Sequence, residues 1–299
     1  MKLAILLQYV LPHHFLTRIA NFLVRIEYPP FKNFLIGNAV RKFKIDMNEA
    51  VVDNPFAYKS FNDFFTRRLR LNERNIDLTQ DCVIAPADGK VSQMGRIYDD
   101  AIVQAKEHAF TLCELLGDQQ AAEKYEKGWF LNIYLSPRDY HRIHMPMTGR
   151  LVETVYIPGR LFSVAPWAAR AIPNLFSRNE RLVCHFETRH GPMCVVLVGA
   201  MLVSGIETIW GGDEIPVFSS SILRKDYRGK EINLAQFSEI ARFNFGSTVI
   251  CFWPSDAVTL FDFELESKTA VGQKLGEVTL ENSWCFYNTI INKFGGEVK

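Results

Sequence analysis

The sequence lacks the features that would place it in several large classes of protein. No stretch reaches the roughly 18 consecutive apolar residues of a membrane-spanning helix. None of the six cysteines forms a CxxC pair, and no group of cysteines and histidines has the spacing of zinc ligands. There are no internal repeats, and the net charge of +1 argues against a nucleic-acid-binding protein. An ordinary globular chain of 299 residues remains, long enough for one large domain or two small ones.

The short apolar run at the amino terminus is not a good export signal. Leu3 to Leu11 resembles the core of a signal peptide, but Pro12 stops it and no small-x-small cleavage site follows. Cys194 and Cys251 lie in apolar stretches, which is typical of buried, reduced thiols. We therefore expect a cytoplasmic protein that can associate with a membrane.

Charge is concentrated near the amino terminus. Residues 1–70 hold 11 Lys/Arg against 5 Asp/Glu, a balance of +6, so the remainder is near −5. Within them, residues 13–26 predict an amphipathic helix with Phe15, Ile19, Phe22 and Ile26 on one face, ended by Pro29-Pro30. A second apolar and basic stretch runs from residue 34 to 43. These stretches predict either an anchor on an anionic membrane surface or helices packed on their own domain, and spacing does not separate the two.

From residue 81 onward the pattern is typical of β-strands. Short β-branched and aromatic segments alternate with Gly/Pro turns, and two helices are predicted near Thr111–Tyr125 and Asn233–Ala241. The predicted strands are Val83–Ile84, Lys90–Met94, Trp129–Leu135, Leu151–Ile157, Arg181–Thr188, Met193–Val203 and Ser247–Trp253. The fold class is α+β: a helical, membrane-associating region over 1–70, then a mostly antiparallel β body over 71–299.

Two polar segments interrupt the predicted strands. Pro86-Ala87-Asp88-Gly89 is a turn in which Asp88 has the usual role of bonding backbone. Residues 136–146 follow an apolar strand and contain His141 and His144, without the glutamate of an HExxH zinc motif. Taken alone, each segment is as well explained by a structural turn or loop.

Phe245-Gly246-Ser247-Thr248 precedes another apolar strand and permits an unusual reaction. A serine hydroxyl can attack the carbonyl of the preceding residue, and glycine at that place crowds the carbonyl least. The ester that forms can lose its oxygen by β-elimination, which leaves a dehydroalanine. Hydrolysis of the dehydroalanine gives a pyruvoyl group and ammonia. On three letters alone, a tight turn is the simpler interpretation.

Taken together, the segments resemble the bacterial membrane-associated phosphatidylserine decarboxylases, which are pyruvoyl-dependent. The motifs appear in the order typical of that family, from about residue 8 to 275. Besides residues 86–89, 134–146 and 245–248, they are Phe61–Phe65, Gln104–Lys106, Pro158–Val164, Pro173–Phe176 and Arg178–Arg181. One position departs: Phe245 stands where the family usually has leucine. Because both side chains are large and apolar, we expect processing to survive.

The resemblance implies roles for particular residues. Cleavage would fall between Gly246 and Ser247, giving a large subunit 1–246 and a small subunit 247–299 that stay together. Ser247 would be the nucleophile and then the pyruvoyl cofactor, which forms a Schiff base with the substrate. His144 would accept its proton, held by Asp88, and His141 or His144 would reprotonate the product carbon.

The resemblance also implies the substrate and its location. Phosphatidylserine would lose carbon dioxide to give phosphatidylethanolamine, and the enzyme would lie on the cytoplasmic side of the cell membrane as a peripheral protein. Two other interpretations remain. One is a serine hydrolase using Ser247, His144 and Asp88, although the GxSxG pattern is absent. The other is a non-catalytic membrane-binding module, which does not explain the polar run.

Overall fold

A computed structural model describes the chain except for residues 1, 71–73, 75, 78, 80, 99, 106–107, 202–204, 216–218, 245–246 and 280–299. Helices come first, and strands dominate from residue 82. The helices are α1 Lys2–Val10, α2 His13–Val24, α3 Pro29–Phe43, α4 Phe61–Phe65, α5 Leu112–Leu116, α6 Gln119–Glu123, α7 Pro166–Ala169 and α8 Leu175–Arg178. Short 3-10 turns occupy Pro55–Ala57 and Arg228–Lys230.

The strands pair only in the antiparallel sense within the described part of the chain. They are β1 Cys82–Ile84, β2 Gly89–Arg96, β3 Ala101–Ala105, β4 His108–Thr111, β5 Trp129–Leu135, β6 Arg142–His144, β7 Gly149–Ile157, β8 Arg181–Thr188, β9 Gly191–Val198, β10 Ile206–Thr208, β11 Gly212–Ile215, β12 Leu223–Asp226, β13 Asn233–Leu234, β14 Glu239–Phe243, β15 Ser247–Trp253, β16 Val258–Leu260, β17 Lys268–Thr269 and β18 Lys274–Val278. The α+β fold class is confirmed.

One large sheet forms the centre of the body. Its order is β12-β7-β8-β9-β15-β5-β2-β17, with β13 also paired to β7. Smaller sheets are β11-β10-β14-β6, β1-β18-β16 and the hairpin β3-β4. Every residue of β15 is buried, and the strand is bonded on one side to β5 and on the other to β9. The main apolar core therefore surrounds β15.

A buried asparagine fixes the loop that follows β7. The Asn179 side chain donates to the carbonyls of Phe162 (2.8 Å) and Gly199 (2.9 Å), and its oxygen accepts from the Phe162 amide at 2.9 Å. Asn179 is fully buried, so these bonds have no water to replace them. The Pro158–Val164 motif is thus held against the body, and α1 docks on it where the Ser163 amide donates to Gln8 at 2.8 Å.

Most predicted strands are confirmed. The bounds of Trp129–Leu135, Arg181–Thr188 and Ser247–Trp253 are those of β5, β8 and β15. Strand β9 ends at Val198, earlier than predicted. Residues 13–26 do form a helix, α2, over His13–Val24.

Three helical predictions need correction. The helix predicted over Asn233–Ala241 is wrong: β13 and β14 lie there, since the edges of β7, β6 and β10 offer strand partners that outweigh local pattern. The stretch Thr111–Tyr125 holds two helices because Gly117, at φ 70°, ends the first. Pro29 and Pro30 begin α3, where a proline loses no backbone hydrogen bond. The division at residue 70 into two regions stays a prediction.

Replacing Asn179 by alanine should destabilise the fold. The change leaves two buried carbonyls and one amide without their partner, which we expect to lower the free energy of unfolding by about 2 to 4 kcal/mol. Urea unfolding of Asn179→Ala measures this. Asn233→Ala, at an exposed position, is the control. Equal midpoints for the two variants would show that the Asn179 bonds are not needed.

Candidate active site

Two antiparallel segments bring the predicted site residues into one region. In the large sheet Ser247 pairs with Leu135, and in the neighbouring sheet Arg242 pairs with Arg142. The Phe243 amide also donates to the His141 carbonyl at 2.9 Å. The Ser247–Leu135 and Arg242–Arg142 pairings therefore bound two segments at once: the polar run that follows β5 and the connection from β14 to β15. Phe245 and Gly246, in that connection, lie outside the described residues.

Ser247 is a buried serine without a hydrogen-bond partner for its hydroxyl among the described residues. Its backbone is held at the start of β15. A buried hydroxyl without a partner is costly, and such groups are often found at functional sites. The hydroxyl that the resemblance implies as nucleophile thus has no hydrogen-bond partner among the described residues.

His144 is a buried, neutral histidine whose tautomer follows from its neighbours. Its Nδ1 lies 2.6 Å from the Phe237 carbonyl oxygen, which can only accept, so Nδ1 carries the hydrogen. Its Nε2 lies 3.1 Å from the Tyr140 hydroxyl and accepts from it. Burial is the main cause that lowers the pKa of His144. The arrangement leaves a basic lone pair on Nε2.

Asp88 does not form the hydrogen bond to His144 that the resemblance implies. Both carboxylate oxygens bind Arg74, Oδ1 to Nη1 at 2.5 Å and Oδ2 to Nη2 at 2.9 Å, and Oδ1 also accepts from the Val271 amide at 2.8 Å. The His144 amide, however, donates to Pro86 at 2.8 Å, two residues before Asp88. Asp88 is therefore near His144, and its negative charge is one of the smaller influences on that histidine.

His141 is fully buried and is also short of partners. Its Nδ1 lies 2.8 Å from the Asp139 carbonyl oxygen, which fixes the hydrogen on Nδ1. Its Nε2 has no partner among the described residues. Phe65 packs on the ring with centroids 4.1 Å apart. Burial, with a smaller contribution from the charge of Arg67, lowers the pKa of His141 to about 3.

Gly89 sets the position of the turn that carries Asp88. A Cβ atom at this residue would lie 2.3 Å from the Tyr134 carbonyl oxygen, and its φ of 157° disfavours other residues. Glycine thus lets the turn approach β5 just before the polar run. The predicted turn is confirmed, and the close approach gives a reason for its glycine.

A cavity of about 640 Å³ is lined by Asp88, and Ser247, His141 and His144 are not among its lining residues. Ser136 and Tyr140 also line it. Its charged residues are Lys44, Arg67, Arg74, Lys90, Arg138 and Lys268 against Asp46, Glu49, Asp88 and Asp139. With six cations and four carboxylates, the cavity favours an anionic ligand.

Sequence reasoning missed several contributors to the site. Arg67 lies two residues after the Phe61–Phe65 motif, so its place in the sequence gave a signal that could have been used. Arg74 and Phe237 lie outside every recognised motif. Only the fold shows that they bind Asp88 and His144.

The sequence is similar to known proteins over most of its length. The family model described as phosphatidylserine decarboxylase matches residues 61–277, and a model described as PSD matches residues 3–44. A phosphatidylserine decarboxylase proenzyme of Xanthomonas axonopodis pv. citri (strain 306) is 52% identical over 277 residues, which are 93% of this chain and 98% of that protein. A proenzyme of the same name from Xylella fastidiosa (strain M12) is 50% identical over 270 residues, 90% of this chain and 92% of that protein.

The burial of His141 should make stability depend on pH. In the unfolded chain its pKa is near 6.5, and in the folded chain it is about 3. Above pH 6.5 the imidazole of His141 is neutral in both the folded and the unfolded chain, so it does not lower the free energy of unfolding there. Between pH 6.5 and 3 the unfolded chain binds a proton that the folded chain does not, so the free energy of unfolding falls by up to about 1.4 kcal/mol per pH unit.

His141→Phe tests this dependence. The aromatic ring can still pack on Phe65 but cannot bind a proton. Urea unfolding at several pH values from 6.5 to 4 should give a shallower fall for the variant than for the wild type. Identical slopes would contradict the burial of a neutral His141.

Proposed function

The chain belongs to the phosphatidylserine decarboxylase family, and from this premise we propose that it is a proenzyme that cuts itself at Gly246–Ser247 and then decarboxylates phosphatidylserine to phosphatidylethanolamine. The observation that carries the proposal is the buried hydroxyl of Ser247. It has no hydrogen-bond partner in the described residues and lies in the same region as the polar run. A buried hydroxyl without a partner has no stabilising structural bond to lose, which supports a chemical role for Ser247.

We assign the proton transfer of the cleavage step to His144. With its hydrogen held on Nδ1 by Phe237, Nε2 can take a proton once the Tyr140 hydroxyl gives way. The negative charge of Asp88 favours the protonated ring that results. In this assignment Asp88 acts through its charge, and Arg74 fixes the position of its carboxylate.

The residues are consistent with a pyruvoyl group at position 247. Such a group, once formed, supplies a keto carbon that binds the amine of the substrate and draws electrons from it as carbon dioxide leaves. The burial of Ser247 shields that position from bulk solvent. We assign proton delivery at the product carbon to His141: its free Nε2 would take up a proton that the substrate ammonium releases on binding and would return that proton to the carbon after carbon dioxide has left.

The two cleaved pieces should remain one body. The small piece would supply β15, at the centre of the large sheet, and β17 at its end. It would also supply β16 and β18, of which β18 pairs with β1. Separating the pieces would expose the main apolar core, so we propose a tight heterodimer of large and small chains.

The family and the site both argue against the serine hydrolase. A hydrolytic serine has to meet an external ester, yet Ser247 lies in a strand with no exposed surface. The carboxylate of Asp88 is bonded to Arg74 and not to His144. Self-cleavage needs only the carbonyl of the preceding residue, so that step can use a buried Ser247 as it stands.

The amino-terminal helices support contact with a lipid surface. On α2 the apolar Phe15 and Phe22 are 59% and 71% exposed, whereas the polar His13 and Thr17 are 3% and 4% exposed. This helix therefore docks by its polar side and presents an apolar side outward. No helix within the described residues is long and apolar enough to cross a membrane. We propose peripheral binding to the cytoplasmic face of the cell membrane, where anionic lipids attract the basic region 1–70.

Denaturing mass spectrometry tests the cleavage. The wild type should give two fragments, 1–246 and 247–299, the smaller lighter by one ammonia than plain hydrolysis would leave it. Ser247→Ala and His144→Ala should stay as one chain because nucleophile or base is lost. Ser221→Ala, at an exposed serine, should cleave normally. Cleavage of Ser247→Ala would refute the proposal.

The variant His141→Ala, purified in the same way, should cleave itself and carry the pyruvoyl group. Its rate of carbon dioxide release should fall by about 10²- to 10⁴-fold, the usual effect of losing a general acid. The release of carbon dioxide per pyruvoyl group measures this. Wild-type turnover would remove His141 from the mechanism.

Membrane contact is tested with the double variant Phe15→Ser/Phe22→Ser, which keeps the docked polar side of α2. Sedimentation with phosphatidylserine-containing vesicles should weaken about tenfold or more, since two apolar rings no longer enter the lipid. Deletion of residues 1–26 should abolish binding. Phe261→Ser, at another exposed phenylalanine, is the control. Unchanged binding of the double variant would place the contact elsewhere.

A further inference from the structure

We propose that Arg67 binds the phosphate of the phosphatidylserine head group in the cavity beside Asp88. This inference rests on the proposed function and adds to it a residue that recognises the substrate. It starts from the hydrogen bonds that Arg67 lacks.

Arg67 is a buried arginine with incomplete bonding. It is 4% exposed, and its Nη2 donates to the Arg138 carbonyl at 3.0 Å. Its Nε and Nη1 are buried and have no acceptor among the described residues. Three N–H groups of one guanidinium are thereby left without a partner.

Arg181 shows how the same fold satisfies a purely structural arginine. It is 2% exposed, and all three of its nitrogens donate to backbone carbonyls between 2.6 and 2.9 Å, those of Leu115, Ser177, Asn179 and Glu114. The contrast indicates that the missing acceptors of Arg67 are not explained by burial as such. They fit a site that an outside acceptor completes.

The nearby carboxylates are already engaged. Asp88 and Glu49 both bind Arg74, and Asp139 accepts from the amide and hydroxyl of Ser136 at 2.7 and 2.6 Å. No ion pair of Arg67 occurs in the described part of the chain. A buried cation without a direct counter-ion is costly, and burial is the main cause that lowers the pKa of Arg67. An entering anion would remove that cost.

The position of Arg67 relates it to the catalytic region. It lines the cavity together with Asp88 and Tyr140. It comes two residues after Phe65, which packs on His141, and its charge is among the causes that lower the pKa of His141. An anion held at Arg67 would therefore lie close to the residue assigned to proton delivery.

The head group carries two anions, and the reaction favours the phosphate as the one that binds Arg67. Decarboxylation moves negative charge off the carboxylate, so a cation bound to the carboxylate would stabilise the substrate more than the transition state. The phosphate keeps its charge throughout. An arginine on the phosphate therefore improves binding without opposing the chemistry.

The first test is the kinetics of processed Arg67→Gln, with rates expressed per pyruvoyl group. KM for phosphatidylserine should rise about ten- to hundredfold, the usual effect of losing hydrogen bonds to a charged group, while kcat stays within a few fold. The KM of Arg67→Lys should lie between those of the wild type and Arg67→Gln. Arg181→Gln, the matched buried arginine, should lower stability but leave KM unchanged. A fall in kcat at unchanged KM would overturn the assignment. If the wild type releases no carbon dioxide from phosphatidylserine, the proposed function fails instead.

The second test does not need processing. Glycerophosphoethanolamine, ethanolamine and inorganic phosphate are titrated calorimetrically into Ser247→Ala proenzyme and into Ser247→Ala/Arg67→Gln. Glycerophosphoethanolamine should bind at least tenfold more tightly than ethanolamine, and the second substitution should abolish that preference. A preference that survives the loss of Arg67 would refute the proposal. Equal binding of inorganic phosphate would show a general anion site and overturn the head-group assignment.

Discussion

The pairing of β15 with β5 is the constraint on which the rest of the molecule depends. It places Ser247 opposite Leu135. In the adjacent sheet Arg242, which precedes Ser247 in the chain, pairs with Arg142, which follows Leu135. The polar run after β5 and the connection before β15 are thereby held between fixed points. Because β15 also bonds to β9, the strand that begins with Ser247 is among the most tightly held in the fold.

Several polar side chains of the proposed site are buried without a full set of hydrogen bonds. Ser247, His141 and Arg67 each contain buried polar atoms that lack a partner among the described residues, whereas Asn179 and Arg181 are satisfied. Leaving such groups unpaired lowers the free energy of unfolding, and the packing of the surrounding sheets must offset that cost. Part of this energetic cost falls where we propose that a peptide bond is cut and where we propose that a charged lipid head group binds.

The sequence determined the architecture well where the pattern was local. Alternating β-branched and aromatic residues gave β5, β8 and β15 with their bounds, and the spacing in residues 13–26 gave α2. It failed at Asn233–Ala241, where apolar residues with helical spacing pair instead with the edges of existing sheets. Strand partners far away in the sequence decide such segments, and no local pattern contains them.

For the candidate site, too, some features were indicated by the sequence and others only by the tertiary structure. The resemblance to a known family, carried by motifs in their order along the chain, pointed to Ser247, His144, Asp88 and His141, whereas each motif taken alone did not. Which atoms face which could come only from the tertiary structure: Arg74 takes the carboxylate of Asp88, and Phe237 fixes the tautomer of His144. The unfilled bonds of Arg67 belong to the same category. Hydrogen bonding and desolvation depend on neighbours brought together by folding, and these are absent from the linear sequence.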